Sequence, residues 1–139
     1  MILKIILLAL MLTSAATCTA TSTNDYPSGI VTRVVDGDTF QVQGFGLVAL
    51  SQVKSPEMGT REGVHAKEYT MERLLNVIVF LDKDDLASRN ADGAIPCLVY
   101  LSGSDGKPKL NKCFNRIIVE AGYAVIKNDT ASEFDPALW

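Results

Sequence analysis

Four groups of side chains in this sequence have types and spacings suited to chemistry. The first is a pair of cysteines, Cys97 and Cys113, which flank a turn-rich stretch, 102–108, symmetrically about Asp105. Antiparallel strands paired about that centre set the two opposite each other, as a disulfide requires; two separately buried thiols are the alternative. The second is Asp36–Gly37–Asp38–Thr39, in which Asp36 caps a turn that Gly37 permits and Asp38 follows as a second carboxylate. The third is His65 with Glu68, three residues apart on a predicted helix. Two ligands do not make a metal site, and an exposed helix histidine is the plainer reading. The fourth is Lys107, Lys109 and Lys112, which could touch phosphates. No aromatic residues interleave them as a base-stacking platform would need, and lysines on a solvated strand edge are ordinary.

The elements that must hold these groups follow from periodicity and turn chemistry. A β-rich run over 30–35, the Asp36–Gly37–Asp38 turn, a strand over 39–43, the Gly44–Phe45–Gly46 turn and a strand over 47–53 predict an antiparallel meander. Pro56 ends it. A helix is predicted over about 63–75, with Met71, Leu74 and Leu75 on its apolar stripe and Lys67, Glu68, Glu72 and Arg73 facing water. Strands follow over 76–81 and 96–101, separated by a polar loop over 82–93. A second helix is predicted from Asn111, as N-cap, to Ala121, burying Phe114, Ile117, Ile118 and Ala121, with Gly122 beyond its end. A short strand over 123–126 closes the pattern. The order β-β-β-α-β-β-α predicts a mainly β, α+β fold: a five-stranded OB-type Greek-key barrel with two principal helices.

Length and composition set the frame. A chain of 139 residues has room for one domain with a modest core. Of its 47% hydrophobic residues, many fall in the first twelve, an apolar run broken only by Lys4 and followed by small residues. That layout predicts a signal peptide over 1–20, whose apolar run is too short to span a bilayer. Two processing routes fit: cleavage after Ser14–Ala15–Ala16, or lipidation of Cys18, preceded by Ala15–Ala16–Thr17. Either predicts an extracytoplasmic protein, secreted or lipid-anchored, that meets the membrane only through its leader or lipid. A polar linker over 21–29, a domain over 30–127 and a tail over 128–139, docked by Trp139, complete the predicted organisation. The formal net charge is −3, and loss of Lys4 makes the remainder more acidic still. Bulk charge therefore excludes an ordinary DNA-coating module.

Three motifs support a family resemblance over about 30–127. Val35–Asp36–Gly37–Asp38–Thr39 matches the Val/Ile-Asp-Gly-Asp-Thr turn of the staphylococcal nuclease (thermonuclease) family. Val53, Pro56 and Glu57 fit its Ile-Asp-x-Pro-Glu segment without a gap. Asn115 with Val119, Gly122 and Ala124 fits the Asn-x-x-Leu-Val-x-x-Gly-x-Ala pattern of its last helix. The chain resembles that family, and the resemblance implies calcium-dependent cleavage of DNA and RNA phosphodiesters. Such chemistry uses a carboxylate cage for a hard cation, an activated water and cationic donors to the transition state. The resemblance makes Asp38 the first metal aspartate and Glu57 the water-orienting glutamate.

The same comparison shows what this chain lacks. Where the family reads Val-Arg-Leu-x-x-Ile-Asp-x-Pro-Glu, this chain has Ala49 for the arginine and Lys54 for the second metal aspartate. The family's later arginine falls on Ile95 or a neighbour; no arginine occurs over 90–112, and Arg89 lies too early. Lys54 pairing with Asp38 or Glu57 would neutralise the former cage. The expected protein is therefore an exported, catalytically impaired member acting as a binding or structural module, with no calcium and no identified partner. The alternative is a metal-dependent endonuclease with a rearranged site, using Asp38, Glu57 and a replacement cation such as Lys54 or Arg61.

Overall fold

The computed structural model describes residues 25–139. The predicted signal peptide, Cys18 and the first four residues of the predicted linker lie outside the described residues. The strands are β1 Ser28–Val34, β2 Thr39–Val42, β3 Gly46–Leu50, β4 Val53–Lys54, β5 Ile78–Lys83, β6 Ile95–Ser102, β7 Pro108–Cys113 and β8 Val125–Ile126, with alternating burial clearest in β3 and β5. Two α-helices, α1 Arg61–Leu74 and α2 Phe114–Glu120, complete the described fold together with a 3-10 turn, Pro136–Leu138.

Strands β3, β2, β1, β5 and β6 are hydrogen-bonded in that order, and a parallel β3–β6 pairing closes the ring. The fold is α+β with a closed five-stranded barrel and two helices, consistent with an OB-type barrel. β7 extends the sheet beyond β6, and β4 with β8 forms a separate ribbon. Phe40, Phe114, Leu74, Leu81 and Ile118 are fully buried where the barrel meets the helices.

Several boundaries differ from the sequence expectation, each for a tertiary reason. β1 starts two residues early: Ser28 and Gly29, expected in the linker, pair with Phe80 and Val79 of β5. The predicted strand over 47–53 is broken at Gln52, whose φ of 61° is left-handed. Its side chain donates to the carbonyls of Asp129 and Phe134 (2.8 and 2.9 Å) and accepts from the Asp129 N–H (2.7 Å). A strained backbone costs about 1–3 kcal/mol, which three hydrogen bonds of about 1 kcal/mol each offset. The tail over 128–139 is thereby strapped to the barrel.

Helix α1 is capped by Thr60, whose Oγ1 accepts from the Gly63 N–H at 3.0 Å. Its buried face is Gly63, Ala66, Thr70 and Leu74, and Met71 is exposed. Small residues let the helix approach the barrel closely, where the expected Met71 stripe would hold it away. Helix α2 begins at Phe114, and Asn111 lies in β7 instead of capping it.

The expected disulfide is not formed: Cys97 and Cys113 are free, buried thiols. Near the turn the pairing is symmetric, Ser102 opposite Pro108, but Tyr100 is opposite Cys113. Two steps along β6 thus match five along β7, and the bulge carries Cys113 away from Cys97. Cys97 packs inside the barrel, while Cys113 packs with Leu98 and Tyr100 in a second cluster outside it.

Candidate functional site

The turn over 35–39 is built from its own hydrogen bonds. The N–H groups of Val35 and Asp36 donate to the Thr39 carbonyl at 2.9 and 3.2 Å, and the Asp38 N–H donates to Asp36 Oδ1 at 3.0 Å. Gly37 is required here for space: a Cβ would lie 2.7 Å from Ser55 Cβ and 2.8 Å from Ala66 Cβ. The absence of that carbon lets Thr70 Oγ1 on α1 donate to the Gly37 carbonyl at 2.7 Å. The turn is clamped between β4 and the helix.

Asp38 is tied on both oxygens. Thr39 Oγ1 donates to Oδ1 and the Ser55 N–H to Oδ2, each at 2.9 Å. Glu57 sits just before α1, with its carbonyl accepting from Thr60 Oγ1 at 2.6 Å. A Cβ on Gly63 would overlap that same carbonyl, so Gly63 lets the helix start seat against it. The Glu57 side chain is left exposed.

These elements enclose a groove of about 360 Å³ that brings together Asp36, Asp38, Ala49, Lys54 and Glu57. Ala49 reaches it from β3, opposite Thr39. Asn90, Asp92 and Lys127 complete the walls. Sequence reading missed these three: Asn90 and Asp92 come from the polar loop and Lys127 from beyond β8. The one local signal is the Asn90–Gly93 turn, where Asn90 Oδ1 accepts from the N–H groups of Asp92 and Ala94.

Ile95 does not reach the groove. It is 7% exposed, faces the barrel core and lies opposite Val48. Its polar neighbours Asn90 and Asp92 hold the groove position expected near it. His65 and Glu68 are exposed on α1.

Carboxylates dominate the groove: Asp36, Asp38, Glu57 and Asp92 against Lys54 and Lys127. Burial, reinforced by the hydrogen bond and charge of Asp38, pushes the Asp36 carboxyl up to about 6. Among the described residues the only ion pair is Arg116–Glu120, so Lys54 is not paired with Asp38 or Glu57 as expected.

The groups present do not fit a calcium ion. Calcium takes about six to eight oxygens, and among the described residues no three His, Cys, Asp or Glu side chains converge on one point. Lys54 lines the same walls, where the resemblance calls for a second carboxylate ligand.

A second hollow adjoins the first, sharing Ala49, Asn90 and Lys127, and one of its walls is the strapped tail. At its base Asp84 is fully buried. Its carboxylate accepts from Ser51 Oγ at 3.0 Å, from Ser132 Oγ, and from the N–H groups of Leu86, Ala87 and Glu133. Burial pushes this carboxyl up, but the hydrogen bonds outweigh it and hold the group below its ordinary value. No family model matches the chain, and no curated protein matches it.

Proposed function

We propose that the chain is an exported, staphylococcal-nuclease-like barrel whose phosphodiesterase site has become a non-catalytic binding or structural module. The observation that carries this reading is the presence of Ala49 and Lys54 on the same groove as Asp38 and Glu57. The groove keeps the two carboxylates that the resemblance names and has an uncharged and a cationic residue where it calls for a cation and a metal ligand.

Magnitudes favour loss of catalysis. A unit charge about 4 Å from a divalent ion is worth roughly 8 kcal/mol at an effective dielectric of 20, and Lys54 turns that attraction into repulsion. Loss of one transition-state donor typically costs about 100- to 1000-fold in rate. The excess of carboxylates also repels a nucleic-acid backbone. The rival reading, a metal-dependent endonuclease with a rearranged site, draws on one observation: Lys54 has no ion-pair partner among the described residues and is available as a replacement cation.

Incubation of the pure protein with DNA and RNA in calcium, manganese or magnesium separates the two readings. The proposal expects no cleavage above that of a Glu57→Gln control. Cleavage lost in that control establishes the endonuclease instead. Export is supported by the apolar leader and small-residue site; membrane fractionation of the wild type and Cys18→Ser distinguishes lipid anchoring from simple secretion.

A further inference from the structure

We propose that the protein forms a two-fold symmetric dimer through the face between β7 and the strapped tail. This goes beyond the reading of the groove and does not depend on it.

Among the described residues β7 is the last strand of its sheet, bonded on one side only. Between it and the tail lies a hollow of about 340 Å³, with an aromatic and aliphatic floor that includes Tyr100, Leu110, Phe134 and Trp139, and with Glu133 and Asp135 on its tail side. Leu110 on the β7 lip is 54% exposed and Leu138 on the tail lip 83% exposed. Trp139 Nε1 is buried and has no acceptor among the described residues. The hollow has a large exposed aliphatic side chain standing on each rim.

The two rims carry opposite charge. Lys107, Lys109 and Lys112 are exposed on and beside β7, with no acidic residue over 107–113. Glu133 and Asp135, which line the hollow, are exposed on the tail, with no basic residue over 128–139. None of these five forms an ion pair among the described residues. A partner of one charge would be attracted by one rim and repelled by the other. A second copy, rotated by two-fold symmetry, sets each basic rim against an acidic one and carries Leu110 of each copy over the hollow of the other.

Sedimentation velocity tests this on the wild-type protein at about 100 μM in low salt, where exposed charges are least screened. The expected result is a dimer that dissociates in about 1 M salt. Lys109→Glu/Lys112→Glu and Glu133→Lys/Asp135→Lys should each be monomeric, and an equimolar mixture of the two should again sediment as a dimer. That rescue requires both variants to be folded. Leu110→Asp should be monomeric in every mixture. A wild type that stays monomeric overturns the proposal and leaves the hollow to a different partner. So does a dimer that both charge-reversed variants retain.

Discussion

The backbone N–H of Ser55 donates to Asp38 Oδ2 at 2.9 Å, joining two segments 17 residues apart. This bond links β4 to the turn before β2 and places Lys54 and Glu57 on the groove that holds Asp38.

Calcium binding is the first consequence. Titration calorimetry of the wild type should show no binding at micromolar calcium. Lys54→Asp should introduce measurable binding, and that binding should disappear when Asp38→Ala is added. Tight wild-type binding that Asp38→Ala abolishes would refute the account of the groove.

Rebuilding catalysis must respect the position of Ile95. An arginine there would enter the barrel core, and burying an unpaired charge should cost about 3–5 kcal/mol or prevent folding. Ala49→Arg/Lys54→Asp/Asp92→Arg places its cations on the groove walls instead. This triple variant should stay folded and cleave DNA in a calcium-dependent manner, whereas the version with Ile95→Arg should melt far lower. Similar melting temperatures for the two would mean that the loop presents its residues differently.

The pH dependence of stability should carry the mark of Asp36. Its carboxyl is raised from 3.8 to about 6 in the folded protein, so the folded state holds this proton more tightly than the unfolded chain. Stability from this group is therefore full below about pH 4, falls as pH rises towards 6, and stays lost above that. Asp36→Asn removes the titration while keeping an acceptor for the Asp38 N–H. It should stabilise the protein at pH 7.5 by about 1–2 kcal/mol after allowance for partial solvent exposure, with the gap closing near pH 4. Urea midpoints at both pH values measure it; an equal gap at the two would dismiss the assignment.

Asn115 should be among the costliest single positions. It is fully buried, accepts from the Val99 N–H at 2.9 Å and donates to the carbonyls of Ser51 and Cys97 at 2.9 and 3.0 Å. Asn115→Ala strips these buried groups of their side-chain partner, at about 3–5 kcal/mol. In a domain whose total is about 5–15 kcal/mol, the urea midpoint should drop by a large fraction. A change below about 1 kcal/mol would show that water replaces the amide.

The thiols give a prediction opposite to the disulfide expected from spacing. Burial pushes the Cys97 thiol up to about 12, and both cysteines lie in apolar surroundings. In a Cys18→Ser background, a thiol reagent should label neither in the native state and both in denaturant. Reductant should leave the melting temperature unchanged; a clear drop would restore the bridge.

What the sequence determined by itself is what short-range chemistry controls. The turn over 35–39 was legible because Gly37 and its flanking aspartates bond within a few residues, β2 and β6 because β-prone apolar runs stand between turn residues, and α1 because its buried residues recur at near-four spacing. The candidate residues Asp38, Ala49, Lys54 and Glu57 were legible too, since a short meander and one helix start converge them. The tertiary structure decided the rest. Ile95 faces inward because β6 pairs with both β3 and β5, and its side-chain direction follows from that register. Cys113 leaves Cys97 through a bulge that no turn residue announces. Gln52 breaks a strand for partners 77 and 82 residues away, and Asp92 and Lys127 meet on one groove only after the barrel closes. Such placements depend on contacts between segments distant in the chain, which local propensity and periodicity do not encode.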